Sequence, residues 1–157
     1  NEDLIKLGRK NYVNTVVINK AVWTKNEDRK FYVGIKNSRS TNSRLEEFTN
    51  GRNMGKFSSE PIVVQCIDFS AWIKDTFNID DEIILKLDIE GSEYDVIEKM
   101  IEDGTIQYIN QLYIEFHTTH NKSAANDGTA LTKKMNSLGV KVFGNILGGQ
   151  EFVAMFG

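Results

Sequence analysis

The stretch Lys86-Leu87-Asp88-Ile89-Glu90-Gly91-Ser92-Glu93 decides how this chain folds. Ahead of it, Ile83–Leu87 is a nearly continuous apolar run, which reads as a strand covered on both faces of a sheet. Behind it, Tyr94, Ile97, Met100 and Ile101 share one helical face. Ser92 stands where a cap belongs, Glu93 and Asp95 fall in the first turn where negative charge suits the helix dipole, and Gly104 follows as a stop. Between strand and helix, Gly91 lets the backbone turn sharply or approach a ligand closely.

Downstream, Gln111–Phe116 reads as a strand and Thr129–Leu138 as a helix closed by Gly139. Val140–Ile146 and Glu151–Phe156 read as strands joined around Gly148-Gly149, a terminal hairpin. Strands alternating with helices imply a parallel sheet with helices over it, here with an antiparallel strand at one edge. The expectation is an α/β, mostly parallel, doubly wound sheet forming one domain over residues 1–157.

Upstream, Asn1–Lys10 resembles the end of a helix. The β-branched run Thr15–Ile18 predicts a buried strand continued by Ala21-Val22-Trp23, and Lys30–Ile35 a second. Asn37–Gly55 is polar, holds Arg39, Arg44 and Arg52, and reads as a long solvated loop, with a lid or anion-binding segment as the alternative. Pro61 opens a strand over Ile62–Ile67. Asp68 or Ser70 then caps a helix with Phe69, Trp72, Ile73 and Phe77 on one face. Trp23 and Trp72 read as core.

Composition narrows the function classes. The 157 residues are 40% hydrophobic and 26% charged, as in ordinary globular proteins. A net charge of -3 provides no basic footprint for nucleic acid or for an anionic membrane surface. No apolar run approaches the ~20 residues of a membrane span, and no signal peptide opens the chain. The lone Cys66 rules out an internal disulfide, reads as a buried strand thiol and fits a reducing compartment, so a cytoplasmic location is expected. The chain opens on Asn1 rather than Met, which fits a piece of something longer or a processed chain.

In doubly wound sheets ligands lie beyond the carboxyl ends of the strands. Asp88 and Glu90 fall at one such end, and Glu115, His117 and His120 at another. Side chains two apart in extended chain point the same way, so if the two strands are neighbours, Asp88, Glu90, Glu115 and His117 converge on one crevice. Each also has a structural reading. The acids before the helix can cap it, His117 can hydrogen-bond in the rim, and His120 sits in a polar loop that favours solvent.

Lys86-Leu87-Asp88-Ile89-Glu90-Gly91-Ser92-Glu93-Tyr94, followed one helix later by Leu112-Tyr113-Ile114-Glu115-Phe116-His117, resembles the FkbM family of methyltransferases. Val16–Trp23, Lys30–Ile35 and Val64–Ile73, with Ile67-Asp68-Phe69 opening a helix, are similar to the family's preceding segments in the same order. The resemblance implies a Rossmann-like class I fold, S-adenosylmethionine as cofactor, and O-methylation of a sugar or another small hydroxyl compound. It places Asp88 at the methionine end of the cofactor, with Glu90, and Asn19 and Ala21 at the adenine end. The family's glycine-rich first loop and its ribose-holding acid fall before Asn1, so the first two strands are expected to be missing from the chain.

Three functions compete on these residues. In a methyltransferase, Asp88, Glu115 and His117 are the candidate catalytic groups, Asn19, Ala21, Asp88 and Glu90 bind the cofactor, and no metal ligands are assigned. An inactive methyltransferase-like fragment would serve as an interaction module, pairing into a homo-oligomer through an exposed sheet edge. A divalent-metal-dependent hydrolase would use Asp88, Glu90, Glu115 and His117 as ligands.

Overall fold

The computed structural model describes residues 16–34, 44–45, 60–119, 121–146 and 153–154. Among them the chain runs β1 (Ala21–Trp23), β2 (Asp28–Tyr32), β3 (Arg44–Leu45), β4 (Ile62–Asp68), α1 (Phe69–Thr76), β5 (Ile84–Leu87), α2 (Glu93–Glu102), β6 (Gln111–Phe116), α3 (Thr129–Ser137), β7 (Lys141–Ile146) and β8 (Val153–Ala154). A 3-10 turn, Thr105–Tyr108, leads toward β6, and a π-helical turn, Ala124–Gly128, leads into α3.

Among the described residues the strands form two four-stranded sheets, where a single sheet was expected. Their orders are β1-β4-β2-β3 and β5-β6-β7-β8. The described pairings are mixed rather than mostly parallel. β1·β4, β5·β6 and β6·β7 pair in parallel, whereas β2·β4, β2·β3 and β7·β8 pair antiparallel. The parallel pairs arise where a helix carries the chain back across the sheet, as α2 does between β5 and β6 and α3 between β6 and β7. β2 lies on β4's other side and runs against it. The connection around Gly148-Gly149 lies outside the described residues.

Local chemistry sets the helix ends. Asp68 caps α1, its Oδ1 accepting the Ala71 N–H at 3.0 Å. Ser70, the alternative cap, is instead buried, with its hydroxyl 2.6 Å from that of Thr105. After α2, Gly104 takes a left-handed φ of 74°, which lets the chain leave the helix without a Cβ penalty. Asn110 then ties the next strands together. Its side-chain oxygen accepts the Ile83 N–H at 2.6 Å, its N–H donates to Ile83 O at 3.0 Å, and its carbonyl accepts from Lys141 at 3.2 Å.

Most of the core lies against β5–β7. Leu87, Leu112, Ile114, Phe116 and Val142 meet Ile97 and Met100 of α2 and Leu131 and Met135 of α3. Phe69 and Ile73 of α1 join this cluster, so the helix that follows β4 packs into the core of the other sheet. Val22 of β1 also touches it. Among the described residues the β1–β4 sheet has a separate core in Trp23, Leu45 and Cys66. Cys66 is the buried strand thiol expected, and burial pushes its pKa up.

Three expectations fail locally. Val16–Ile18 forms no strand, and Val16 is 85% exposed; Thr15 lies outside the described residues. A β-branched run becomes a strand only where a neighbour offers a ladder, and both sides of β4 are already taken by β1 and β2. β5 is not covered on both faces: Leu87 is buried while Ile84 is 59% exposed. The long polar stretch is interrupted by β3, which pairs Leu45 with Phe31; of its arginines, only the backbone of Arg44 is described. Asn1–Lys10 and His120 also lie outside the described residues, among which no helix is long and apolar enough to cross a membrane.

Candidate active site

Because β5 and β6 are parallel neighbours, with Leu87 opposite Ile114, the acids after one strand meet the polar end of the other. A carboxylate oxygen from each of Asp88 and Glu90 and a ring nitrogen of His117 lie within 4.8 Å of one another. His117 Nε2 is 3.5 Å from Glu90 Oε2 and 3.9 Å from Glu115 Oε1. The four groups singled out from the sequence are therefore brought together. Asp88 and Glu115 are both part-exposed at the rim, with Asp88 Oδ2 held 2.9 Å from Lys86 Nζ.

The residue that organises them is Glu93, which sequence reasoning gave only a dipole role. Its side chain is fully buried. Oε1 accepts the Ile89 N–H at 2.9 Å and Oε2 accepts the Gly91 N–H at 3.0 Å. Oε1 also lies 2.9 Å from His117 Nδ1. One carboxylate thus satisfies the backbone of the turn and grips a histidine 24 positions away. A carboxylate can be buried at tolerable cost only when its oxygens are bonded in this way. Ser92, expected to cap α2, occupies the cap position, yet its side chain makes no capping hydrogen bond. The sequence signal for Glu93 was its place two residues after Gly91, where its carboxylate can fold back onto the turn.

That turn is unusual in its backbone. Glu90 has φ 56° and Gly91 has φ 116°. Glycine is the residue that tolerates the second value; a side chain at Gly91 would be strained.

The electrostatics follow from the packing. Burial lowers the pKa of His117, but Glu93, through its hydrogen bond and charge, and then Glu90 and Glu115 outweigh it, so the net shift is upward. The hydrogen bond from Lys86 to Asp88 raises the lysine pKa.

Beside the cluster opens a cavity of about 740 Å³, within the ~300–1,000 Å³ usual for small-molecule sites. Asp88, Ile89, Glu90 and Ser92 line one side. Asn19, Lys20 and Ala21 line it from the start of β1, with apolar groups including Phe31, Leu45 and Val64. All four residues expected to bind the cofactor are present here. Glu115 and His117 are not among the lining residues; they reach the site only through the Asp88–Glu90 cluster. The β2–β4 lining was not foreseen, since only the folded sheet brings those strands to the cavity.

A family model described as Methyltransferase FkbM domain matches residues 2–142, almost the whole chain. No curated protein and no solved structure matches it. The matched span includes the strand–turn–helix motif, the cavity wall and β6 with its acidic end, so the chain belongs to the FkbM methyltransferase domain family, whose class I methyltransferase fold accounts for its α/β architecture.

Proposed function

We propose that this methyltransferase domain uses S-adenosylmethionine to O-methylate a hydroxyl of a sugar or another small molecule. The observation that carries the reading is the cavity. It joins Asn19 and Ala21 to Asp88 and Glu90, nearly seventy residues later, in one space of small-molecule size. Its donor set suits the cofactor, with apolar walls for a flat base and carboxylates for a cationic end.

Bound there, S-adenosylmethionine supplies a methyl group activated by a positive sulfonium. Of the residues lining the cavity, Asn19 and Ala21 would hold the adenine side, and Asp88 and Glu90 the methionine side. The protein's remaining work is to orient the acceptor and take its proton. Asp88, Glu115 and His117 are the groups within reach of one another for that task. Glu93 occupies Nδ1 of His117 and leaves Nε2 facing the crevice. A positioned base of this kind contributes ~10²–10⁴-fold to rate. A cytoplasmic location goes with this reading, since the one thiol is free and buried.

Calorimetry of the full-length protein with S-adenosylmethionine tests the proposal. Saturable binding, weakened at least tenfold in folded Asp88→Ala, is expected; absent binding to the folded wild type sinks it. One observation favours the interaction-module alternative. β5 ends its sheet among the described residues and exposes Ile84, which suits pairing with a second copy. A monomer in solution would remove that reading. The metal-dependent hydrolase has its ligand types in place, but the family match is to a methyltransferase domain.

A further inference from the structure

Two carboxylates and an imidazole approach one point from a strained turn and a buried strand end. We propose that Asp88, Glu90 and His117 bind a divalent cation, with Glu93 as the outer partner of the histidine.

The donor types come first. Carboxylate oxygens with one imidazole nitrogen suit Mn²⁺, Fe²⁺ or Zn²⁺, whereas an all-oxygen set suits Mg²⁺ or Ca²⁺. The spacing comes second. Ligands on opposite sides of an ion at ~2.1 Å are about 4.2 Å apart. The three donor atoms lie within 4.8 Å of one another, so small side-chain rotations close the set.

The histidine is an independent argument. Its side chain is only 9% exposed, and its hydrogen bond is made at Nδ1, to Glu93. Nε2 points at carboxylate oxygens 3.5 Å and 3.9 Å away, beyond the ~2.7–3.2 Å of an N–H···O hydrogen bond. A nearly buried ring nitrogen is thus aimed into an acidic crevice at a distance an inserted ion would bridge. A histidine that donates its other N–H to a carboxylate presents its lone pair in a fixed direction, the usual support of a metal-binding imidazole. Glu93 supplies this support and, through Ile89 and Gly91, also holds the turn that carries Asp88 and Glu90.

The site does not depend on the methyltransferase reading. Joined to it, the cation would replace the direct hold of Asp88 and Glu90 on the methionine side and polarise the acceptor hydroxyl, and Glu115, outside the three ligands, would be left to take the proton.

The test uses full-length protein freed of metal by chelation. Mn²⁺ is titrated by electron paramagnetic resonance, and Mn²⁺ and Zn²⁺ by calorimetry. One saturable ion per chain is expected. Glu90→Gln and His117→Ala weaken it at least tenfold, and Glu93→Gln, which replaces no ligand but weakens the carboxylate bond to His117, weakens it about 10–100-fold. His117→Gln serves where the alanine variant does not fold. Glu102→Gln, exposed on α2, leaves binding unchanged. Folded wild type that binds neither ion saturably overturns the proposal, as does binding unaffected by Glu90→Gln and His117→Gln. S-adenosylmethionine binding without ion binding removes the metal site alone, and the reverse removes the cofactor reading alone.

Discussion

The turn after β5 and the strands β1–β4 line the same cavity, yet they rest on unequal foundations. The turn stands on a cluster running from Phe69 to Val142 that includes both faces of contact with α2 and α3. The other wall buries Trp23, Leu45 and Cys66 among the described residues, and it is attached to the larger core chiefly through α1 and Val22. The ionisable groups of the site sit on the well-packed side. The apolar wall belongs to the side on which fewer of the described residues form a buried cluster.

Core truncations test this contrast most strongly. Leu112→Ala, at a fully buried position of β6, should cost about 3–5 kcal/mol in denaturant unfolding. Leu45→Ala should cost about 2 kcal/mol, because a thin cluster collapses more readily around the gap. Equal losses would break the distinction.

Glu93→Gln comes next. It keeps the shape but weakens charge-assisted bonds to Ile89, Gly91 and His117, and about 2–3 kcal/mol of stability should go. Amide exchange at Ile89 and Gly91 should accelerate while β1–β4 amides stay unchanged. The same change alters the pH response. A histidine pKa raised above 6.5 stabilises the fold fully below about 6.5, and the contribution disappears as pH rises through the higher folded value. In Glu93→Gln, nuclear magnetic resonance should find His117 titrating at lower pH than in wild type.

At the joint between the two regions, Asp68→Ala removes the α1 cap and a carboxylate 3.7 Å from Lys99 of α2. A loss of about 1 kcal/mol is expected. Ligand binding should suffer more than this small number suggests, since α1 is what ties the lighter sheet to the larger core. The smallest effect sharpens the picture by its sign. The Tyr94 hydroxyl is buried with no hydrogen-bond partner among the described residues, and burial pushes its pKa up to about 12. Tyr94→Phe should be neutral or stabilising by up to ~1 kcal/mol in thermal melts.

The same division explains what could be read from the sequence. β6 was legible end to end, and the α2 helix nearly so, because alternation and helical periodicity are local patterns. The convergence of Asp88, Glu90, Glu115 and His117 was legible too, given one assumption about neighbouring strands that the β5·β6 pairing meets. Of the β1–β4 sheet, β1 and β4 were legible as strands and β2 in part, but their pairing was not. Whether Val16–Ile18 pairs depends on which edges of β4 are free, and that is decided by residues tens of positions away. Glu93 escaped for a similar reason. A first-turn glutamate normally faces water, and its burial appears only when His117 arrives from the next strand.

The left-handed backbone at Glu90 carries a last consequence. A non-glycine residue at φ 56° costs about 1–2 kcal/mol, which glycine there would not incur. Selection for robustness alone would therefore drift toward Glu90→Gly, and the variant should melt higher. It would also delete a carboxylate from the crevice, so at this position durability and chemistry pull in opposite directions.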